Sequence, residues 1–262
     1  MQGVGLGFGY GVMLTIKNAR IQSASFRPRT EEVDTLVLHF TALDLESSLQ
    51  ILRYQNVSSH YVLAEDGTAY KILEDNEVAW HAGLSMWRGR PNVNGRSIGI
   101  EIVNLNGNTR DYPAVQIEAL IKLCGTIIAT NPGILPRNVV GHSDIAPRRK
   151  DDPGTKFPWQ QLAGAGIGLW PNGVLDEPVG TRQQIQSLLE ACGYPQEHAY
   201  GIMDGGYVSI SDPANPGVGV SNVVMVTTAD ILQAFQLRFQ PACVTGIATP
   251  TTMGVLRRLS AM

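Results

Sequence analysis

The chain has 262 residues, 44% of them apolar and 16% charged, with a formal net charge of -3 and a pI near 5.9. Such a composition supports a well-buried core and excludes wholesale disorder, and the near-neutral balance offers neither a basic field for nucleic acid nor an acidic tail for a basic partner. Three cysteines, Cys124, Cys192 and Cys243, are odd in number, far apart and without C-x-x-C spacing, so neither a disulfide framework nor a thiolate zinc knuckle is implied.

Met1 to Met13 is glycine-rich and apolar, lacks a basic leading region and is too short to span a bilayer. It reads as an upstream extension, with Met13 as the natural start, and residues 1–33 read as extension and lead-in. Asp34 to Phe40 (DTLVLHF) is a β-branched and aromatic run of strand length. A helical pattern follows through Leu45, Leu49 and Leu52, then a short strand at His60 to Ala64, a turn at Glu65-Asp66-Gly67-Thr68, and a strand at Ala69 to Leu73. Asp-Gly between two such runs is a hairpin signal. After a loop from Trp80 to Gly95, Ser97 to Val103 (SIGIEIV) reads as a central strand. Pro113 opens a helix whose apolar face is Ile117, Leu120, Ile121, Cys124, Ile127 and Ile128. Asn138 to Gly141 is another short strand, and a polar, proline-bearing loop runs from His142 to Pro158. Strands alternating with helices predict an α/β domain over 34–172, with a mixed central sheet flanked by helices. Gly, Pro and Asp cluster over 173–180, which reads as a linker. From Thr181 the pattern predicts a small three-helix domain over 181–262: a helix through Ile185, Leu188, Leu189 and Cys192, a loose Gly/Pro/Ser segment, a helix through Ile231, Phe235 and Leu237, and a short helix around Met253 to Leu259. No transmembrane segment is expected.

Five histidines are present, His39, His60, His81, His142 and His198, and no HExxH helix, which excludes a zincin. His39 closes an apolar strand, where a side chain points into the cleft above a sheet, although a satisfied core histidine would look the same in isolation. The segment GHSDIAPRRKDDPG from Gly141 packs His142, Lys150 and Asp152 into one loop. Pro147 and Pro153 forbid a regular helix across it, so the loop can fold back and bring His142 and Asp152 together. Two imidazoles and one carboxylate are an ordinary catalytic zinc set, with the fourth position left for water; RRKDD alone would be a solvated charge run. Glu101 stands in an otherwise apolar strand, facing away from Ile100 and Ile102, and a carboxylate there needs a partner. A metal-bound water would supply one, and burial would raise the glutamate toward the range of a general base.

LHFTA, SSHY, AWHAG, SIGIEIVN and GHSDIAPRRKDDPG, in this order, closely resemble the N-acetylmuramoyl-L-alanine amidase type 2 family, in its branch with a C-terminal peptidoglycan-binding domain. The resemblance covers about Asp34 to Trp170. It implies one zinc ion per chain on His39, His142 and Asp152, with Glu101 and Lys150 catalytic, while Asp151 and Asp144 match no ligand position and Asp144 is free to order the loop. Trp80 and His81 are implied candidates for substrate contact, with packing as the alternative; His60 and Tyr61 read as core in preference to support behind the ligands, and His198 matches nothing and reads as a surface residue. The implied reaction is zinc-dependent hydrolysis of the amide between the muramoyl lactyl group and L-alanine, on peptidoglycan or anhydromuropeptides. The alternatives are a non-catalytic peptidoglycan recognition protein, or an enzyme on a different amide or ester. QAFQLRFQP and the helix spacing resemble the three-helix peptidoglycan-binding fold, from which residues 205–222 depart by being longer and more strand-like. A binding domain points to the periplasm or cell envelope, and the lack of a recognisable signal peptide points to the cytoplasm.

Overall fold

The computed structural model describes residues 13–22, 24–203, 206–209 and 222–262. The extension 1–12 lies outside the described residues, as do residue 204 and, of the strand-like stretch 205–222, residues 205 and 210–221. Two short strands come first, β1 (Thr15–Asn18) and β2 (Phe26–Pro28), so the lead-in contributes to the sheets. β3 (Thr35–Phe40) is the apolar run, and α1 (Leu45–Tyr54) follows, its first turn capped by Asp44, which accepts the Ser47 amide. The hairpin is β4 (Tyr61–Leu63) and β5 (Thr68–Lys71). β6 (Glu77–Ala79) pairs with β2, and β7 (Met86–Trp87) pairs with β8 (Arg90–Pro91). β9 (Ser97–Ile102), α2 (Ala114–Thr130) and β10 (Val139–Gly141) complete the frame. Pro113 is the residue preceding α2, one position earlier than its predicted place inside the first turn.

The main sheet has the order β1-β5-β4-β9-β3-β10, and every neighbouring pair is parallel except β4–β5. It is the mixed sheet expected from the sequence. Strand alternation divides its two faces. Leu36 and Leu38 of β3, Ile98, Ile100 and Ile102 of β9 and Val139 of β10 pack with Ile117, Leu120, Leu123, Cys124 and Ile127 of α2. The intervening positions of β3 and β9 (Val37, His39, Gly99, Glu101) therefore face the other way. That face is the one that carries the cleft.

A one-turn helix, α3 (His142–Ile145), ends before Pro147, and α4 (Trp159–Gly164) closes the loop region. The three C-terminal helices are α5 (Arg182–Cys192), α6 (Thr228–Phe239) and α7 (Pro250–Ser260). Between them the loose segment forms an antiparallel sheet that the sequence reading did not assign: β11 (His198–Met203), β12 (Gly206–Ser209) and β13 (Asn222–Val226), ordered β12-β11-β13. The strand-like character noted over 205–222 fits β12, while glycine, proline and serine dilute the apolar period and hide the extent and pairing of the sheet. Residues 173–180 run along α7: the Glu177 amide donates to the Pro250 carbonyl (3.0 Å), and the Thr251 hydroxyl donates to Asp176 (2.8 Å). The C-terminal helices do not stand apart from the sheet, because Val37, Val140 and Ile145 share one buried cluster with Ile185, Leu189, Ile231, Phe235 and Leu256.

Candidate metal centre and cleft

The parallel strands β3, β9 and β10 all end at one edge of the sheet, where open α/β sheets place their ligands. His39 is the fifth residue of the six in β3, Glu101 the fifth of the six in β9, and His142 follows β10 directly. Asp152 comes back to this edge because the loop folds onto itself: the Ser143 amide donates to the Asp152 carbonyl (2.9 Å), and the Tyr112 hydroxyl donates to the Pro153 carbonyl (2.7 Å). Three ligand atoms then converge. His39 Nδ1 lies 2.9 Å from His142 Nδ1 and 3.0 Å from Asp152 Oδ2, and His142 Nδ1 lies 3.1 Å from the same oxygen. All three side chains are buried. Three lone pairs held so close repel one another unless a cation or a shared proton sits among them, and two imidazoles with one carboxylate make the donor set of a zinc site.

The outward nitrogens are fixed as well. His142 Nε2 faces the Ala82 carbonyl oxygen at 3.0 Å, and an oxygen that only accepts places the proton on Nε2 and leaves Nδ1 bare. His39 Nε2 lies 2.9 Å from His81 Nδ1, and His81 Nε2 lies 3.0 Å from the Ser97 hydroxyl. The backbone of this segment is clamped by Asn94, whose side-chain oxygen accepts the amides of both His81 (3.1 Å) and Ala82 (2.7 Å). Arg149 adds donors to the carbonyls of Ala82 (2.6 Å) and Leu84 (2.7 Å). Gly99 makes room for the ring: a Cβ there would lie 2.6 Å from His81 Cγ.

Electrostatics follow from burial. Burial, reinforced by His142, lowers His39 to about 4, so the ring is neutral at pH 7 and able to ligate. His81 is held well below its ordinary value by burial and by His39. Burial alone would raise Asp152, yet the imidazoles of His142 and His39 hold it well below the usual carboxylate range. Burial pushes Glu101 up to about 8, with Asp152 adding to the rise and Lys150 opposing it. A cation beside Asp152 would act in the same sense as Lys150.

The residues singled out from the sequence, His39, Trp80, His81, Glu101, His142, Lys150 and Asp152, all line one cleft of about 430 Å³. Trp80 is 41% exposed on its wall and free to meet a ligand. His81 is 9% exposed, and both its ring nitrogens are engaged within the protein, so it stands behind His39. Lys150 is exposed at the rim, and among the described residues it makes no ion pair with Asp151 or Asp152; Asp151 instead accepts from the Asn108 side-chain Nδ2 (2.8 Å). His60 is wholly buried, its ring centroid 5.9 Å from that of His81. The side chain of His198 lies outside the described residues. Asp144 orders the loop by accepting the Gly141 amide (2.8 Å). Sequence reasoning missed Asn94 and Arg149, and in both the only signal was a polar side chain beside a loop that needed backbone partners.

Fold and site together define a class: a mixed-sheet α/β domain with a two-histidine, one-carboxylate cluster at the carboxyl ends of its parallel strands. Over residues 29–155 the chain matches the family described as N-acetylmuramoyl-L-alanine amidase. It is 44% identical over 169 residues to N-acetylmuramoyl-L-alanine amidase AmiD of Escherichia coli, a stretch covering 59% of this chain and 60% of that one. It is 31% identical over 164 residues to 1,6-anhydro-N-acetylmuramyl-L-alanine amidase AmpD of Haemophilus influenzae, covering 54% of this chain and 88% of that one. Among solved structures, the E. coli AmiD complex with anhydro-N-acetylmuramic acid-L-Ala-D-gamma-Glu-L-Lys matches with a TM-score of 0.71 at 34% identity, over 87% of this chain and 88% of that one. AmpDh3 of Pseudomonas aeruginosa also reaches 0.71, at 32% identity over 95% and 98% of the two chains. The chain belongs to the N-acetylmuramoyl-L-alanine amidase type 2 family. No helix among the described residues is long and apolar enough to cross a membrane.

Proposed function

We propose that this protein hydrolyses the amide bond between the lactyl group of N-acetylmuramic acid and the L-alanine of a peptidoglycan stem, with one zinc ion held by His39, His142 and Asp152. The observation that carries this reading is the convergence of three ligand atoms within 3.1 Å beside a glutamate on the next strand. Zinc bound there supplies a Lewis acid that acidifies water and polarises a carbonyl. Glu101 takes the proton of the attacking water and returns it to the leaving nitrogen. The C–N bond breaks, and the products are a lactyl carboxylic acid and a peptide with a free amino terminus. Lys150, exposed at the rim, stabilises the oxyanion of the tetrahedral intermediate, a role worth roughly 3 to 4 kcal/mol for one donor. Trp80 offers the substrate an aromatic wall.

Peptidoglycan or anhydromuropeptides are the substrates this reading assigns, consistent with the ligands in the AmiD complex and in an AmpDh3 complex with an anhydromuramic pentapeptide. The helical part from residue 181 is proposed to bring the enzyme to polymeric substrate in the periplasm or cell envelope; activity confined to soluble anhydromuropeptides would favour the cytoplasm. A recognition protein without catalysis would have no need of the complete ligand set. Mass spectrometry of products from intact sacculi and from a soluble anhydromuropeptide, with and without chelator, tests the proposal. New lactyl carboxylates and stem peptides that vanish with chelator are expected, and their absence from both substrates would overturn it.

A further inference from the structure

The turn that carries His142 is short of local support. It consists of the three-residue β10 and the four-residue α3, and Pro147 prevents the helix from continuing. Beyond the pairing of β10 with β3 and the Ser143 hydrogen bond to Asp152, its grip comes from the C-terminal helices. The Arg238 guanidinium of α6 donates from Nη1 to the Val139 carbonyl (3.1 Å) and to Asp144 Oδ2 (3.0 Å), and from Nη2 to the Leu169 carbonyl (3.4 Å). Val139 opens β10 and Asp144 lies two residues beyond His142, so one planar cation holds the chain on both sides of the imidazole. Its carbon centre sits 4.0 Å from the Trp159 ring centroid and 4.8 Å from that of Phe239, and the side chain is 5% exposed.

A second grip comes from the end of α5. Gly193 adopts φ +108, and a Cβ there would lie 2.8 Å from the Trp87 ring, so the turn requires glycine on both counts. It delivers Tyr194, whose hydroxyl donates to Asp144 Oδ1 at 2.5 Å. Asp144 is wholly buried, with Oδ2 serving Gly141 and Arg238 and Oδ1 serving Tyr194. A buried carboxylate deprived of these donors would move toward water and carry the turn with it.

We propose that Arg238 and Tyr194 are positioning residues for the metal centre: acting through Asp144, they hold the β10–α3 turn so that His142 Nδ1 aims at His39 and Asp152. The C-terminal part is then a structural member of the site, whatever it does with polymer. This rests on the reading of His142 as a metal ligand.

The test uses the full chain with the variants Arg238→Gln, Tyr194→Phe, His142→Ala and, as a control, Met253→Ala, a buried residue of α7 in the same apolar cluster. Two readouts are taken on folded protein: the zinc dissociation constant by chelator competition, and the His142 ring nitrogen chemical shifts of the metal-free protein. Arg238→Gln is expected to weaken zinc binding about tenfold, the low end for loss of outer support, and Tyr194→Phe by less, about threefold. In both, the His142 signals shift toward mixed tautomers. Met253→Ala lowers thermal stability and leaves zinc affinity within about twofold of the parent. If Arg238→Gln does not fold, Tyr194→Phe, which removes one hydroxyl, decides alone. Unchanged zinc affinity and unchanged His142 signals in the foldable variants, with metal lost from His142→Ala, overturn the positioning role only. Metal retained by His142→Ala removes the ligand reading, and the positioning role with it.

Discussion

His39 and Glu101 are register partners on the neighbouring parallel strands β3 and β9, so their side chains leave the same face of the sheet one strand spacing apart. That spacing is about 4.8 Å. It puts a carboxylate beside the ligand cluster without placing it among the ligands. The division of labour between binding and proton transfer is thus written into the pairing of two strands.

The ligand set makes the first prediction. The isolated protein should carry close to one zinc per chain, and His39→Ala, His142→Ala and Asp152→Ala should each lose it. Elemental analysis finding full zinc in any of the three would strike that residue from the site.

Glu101→Gln should keep its zinc and lose activity by at least about a hundredfold, the lower range for removing a general base. In the parent, kcat/KM should rise with pH through the ionisation of Glu101, because only the carboxylate accepts a proton. Burial places that limb at up to about 8, and bound metal draws it lower. A variant as active as the parent would end the role of Glu101.

Lys150 lacks an ion-pair partner among the described residues, so its removal should leave the loop intact. Lys150→Ala should lower kcat sharply while zinc content and melting temperature stay put, as expected for a contact made mainly in the transition state. Arginine should rescue poorly, since a planar fork differs in reach from a point charge. A kcat restored by saturating zinc would instead make Lys150 a support of the metal loop.

His60 predicts how the fold responds to acid. Its Nδ1 accepts the Gly99 amide (3.0 Å), its Nε2 donates to the Glu77 carbonyl (3.1 Å), and burial lowers its pKa from 6.5 to about 4. The unfolded chain takes up the proton first, so the contribution is complete above about pH 6.5, is lost as pH falls toward 4, and levels off below that; its size is of order 3 kcal/mol. Urea melts at pH 7 and 4.5 should show a smaller loss for His60→Gln than for the parent. An equal loss would assign the acid sensitivity elsewhere.

Phe235 is fully buried in the cluster that joins the sheet to the C-terminal helices. Phe235→Ala should cost about 3 to 5 kcal/mol. Because the cluster spans both parts, fluorescence and far-UV signals should report one shared transition. Two separated transitions, with only one displaced, would show that the parts unfold independently.

The residues of the cleft were legible in the sequence because chemistry and local pattern coincide there. Glu101 contradicts an apolar strand, His39 ends another, and two prolines fold a fourteen-residue motif back on itself. What supports them was not legible. Tyr194 and Arg238 reach Asp144 from 50 and 94 residues away, and nothing in their neighbourhoods marks them as more than helix-end and helix-face residues. His81 read as part of a groove wall, since a motif shows that a ring is present without showing which way its nitrogens point. β1 escaped notice because TIKN is short and exposed, and an edge strand needs little apolar pattern.

The clamp of Asn94 on two successive amides has a consequence for how the centre can fail. One peptide step separates the ring that faces His39 from the carbonyl that faces His142, so the proton positions on imidazoles of two different strand ends share the Asn94 clamp, with Arg149 adding a hold on the Ala82 carbonyl. Local opening at residues 81–82 would release the outward nitrogens of both rings at once, while the hold of Asp144 on the His142 turn stays in place. Loss of metal on mild denaturation should therefore be abrupt, in step with hydrogen exchange at the His81 and Ala82 amides, and ahead of the melting of the sheet itself.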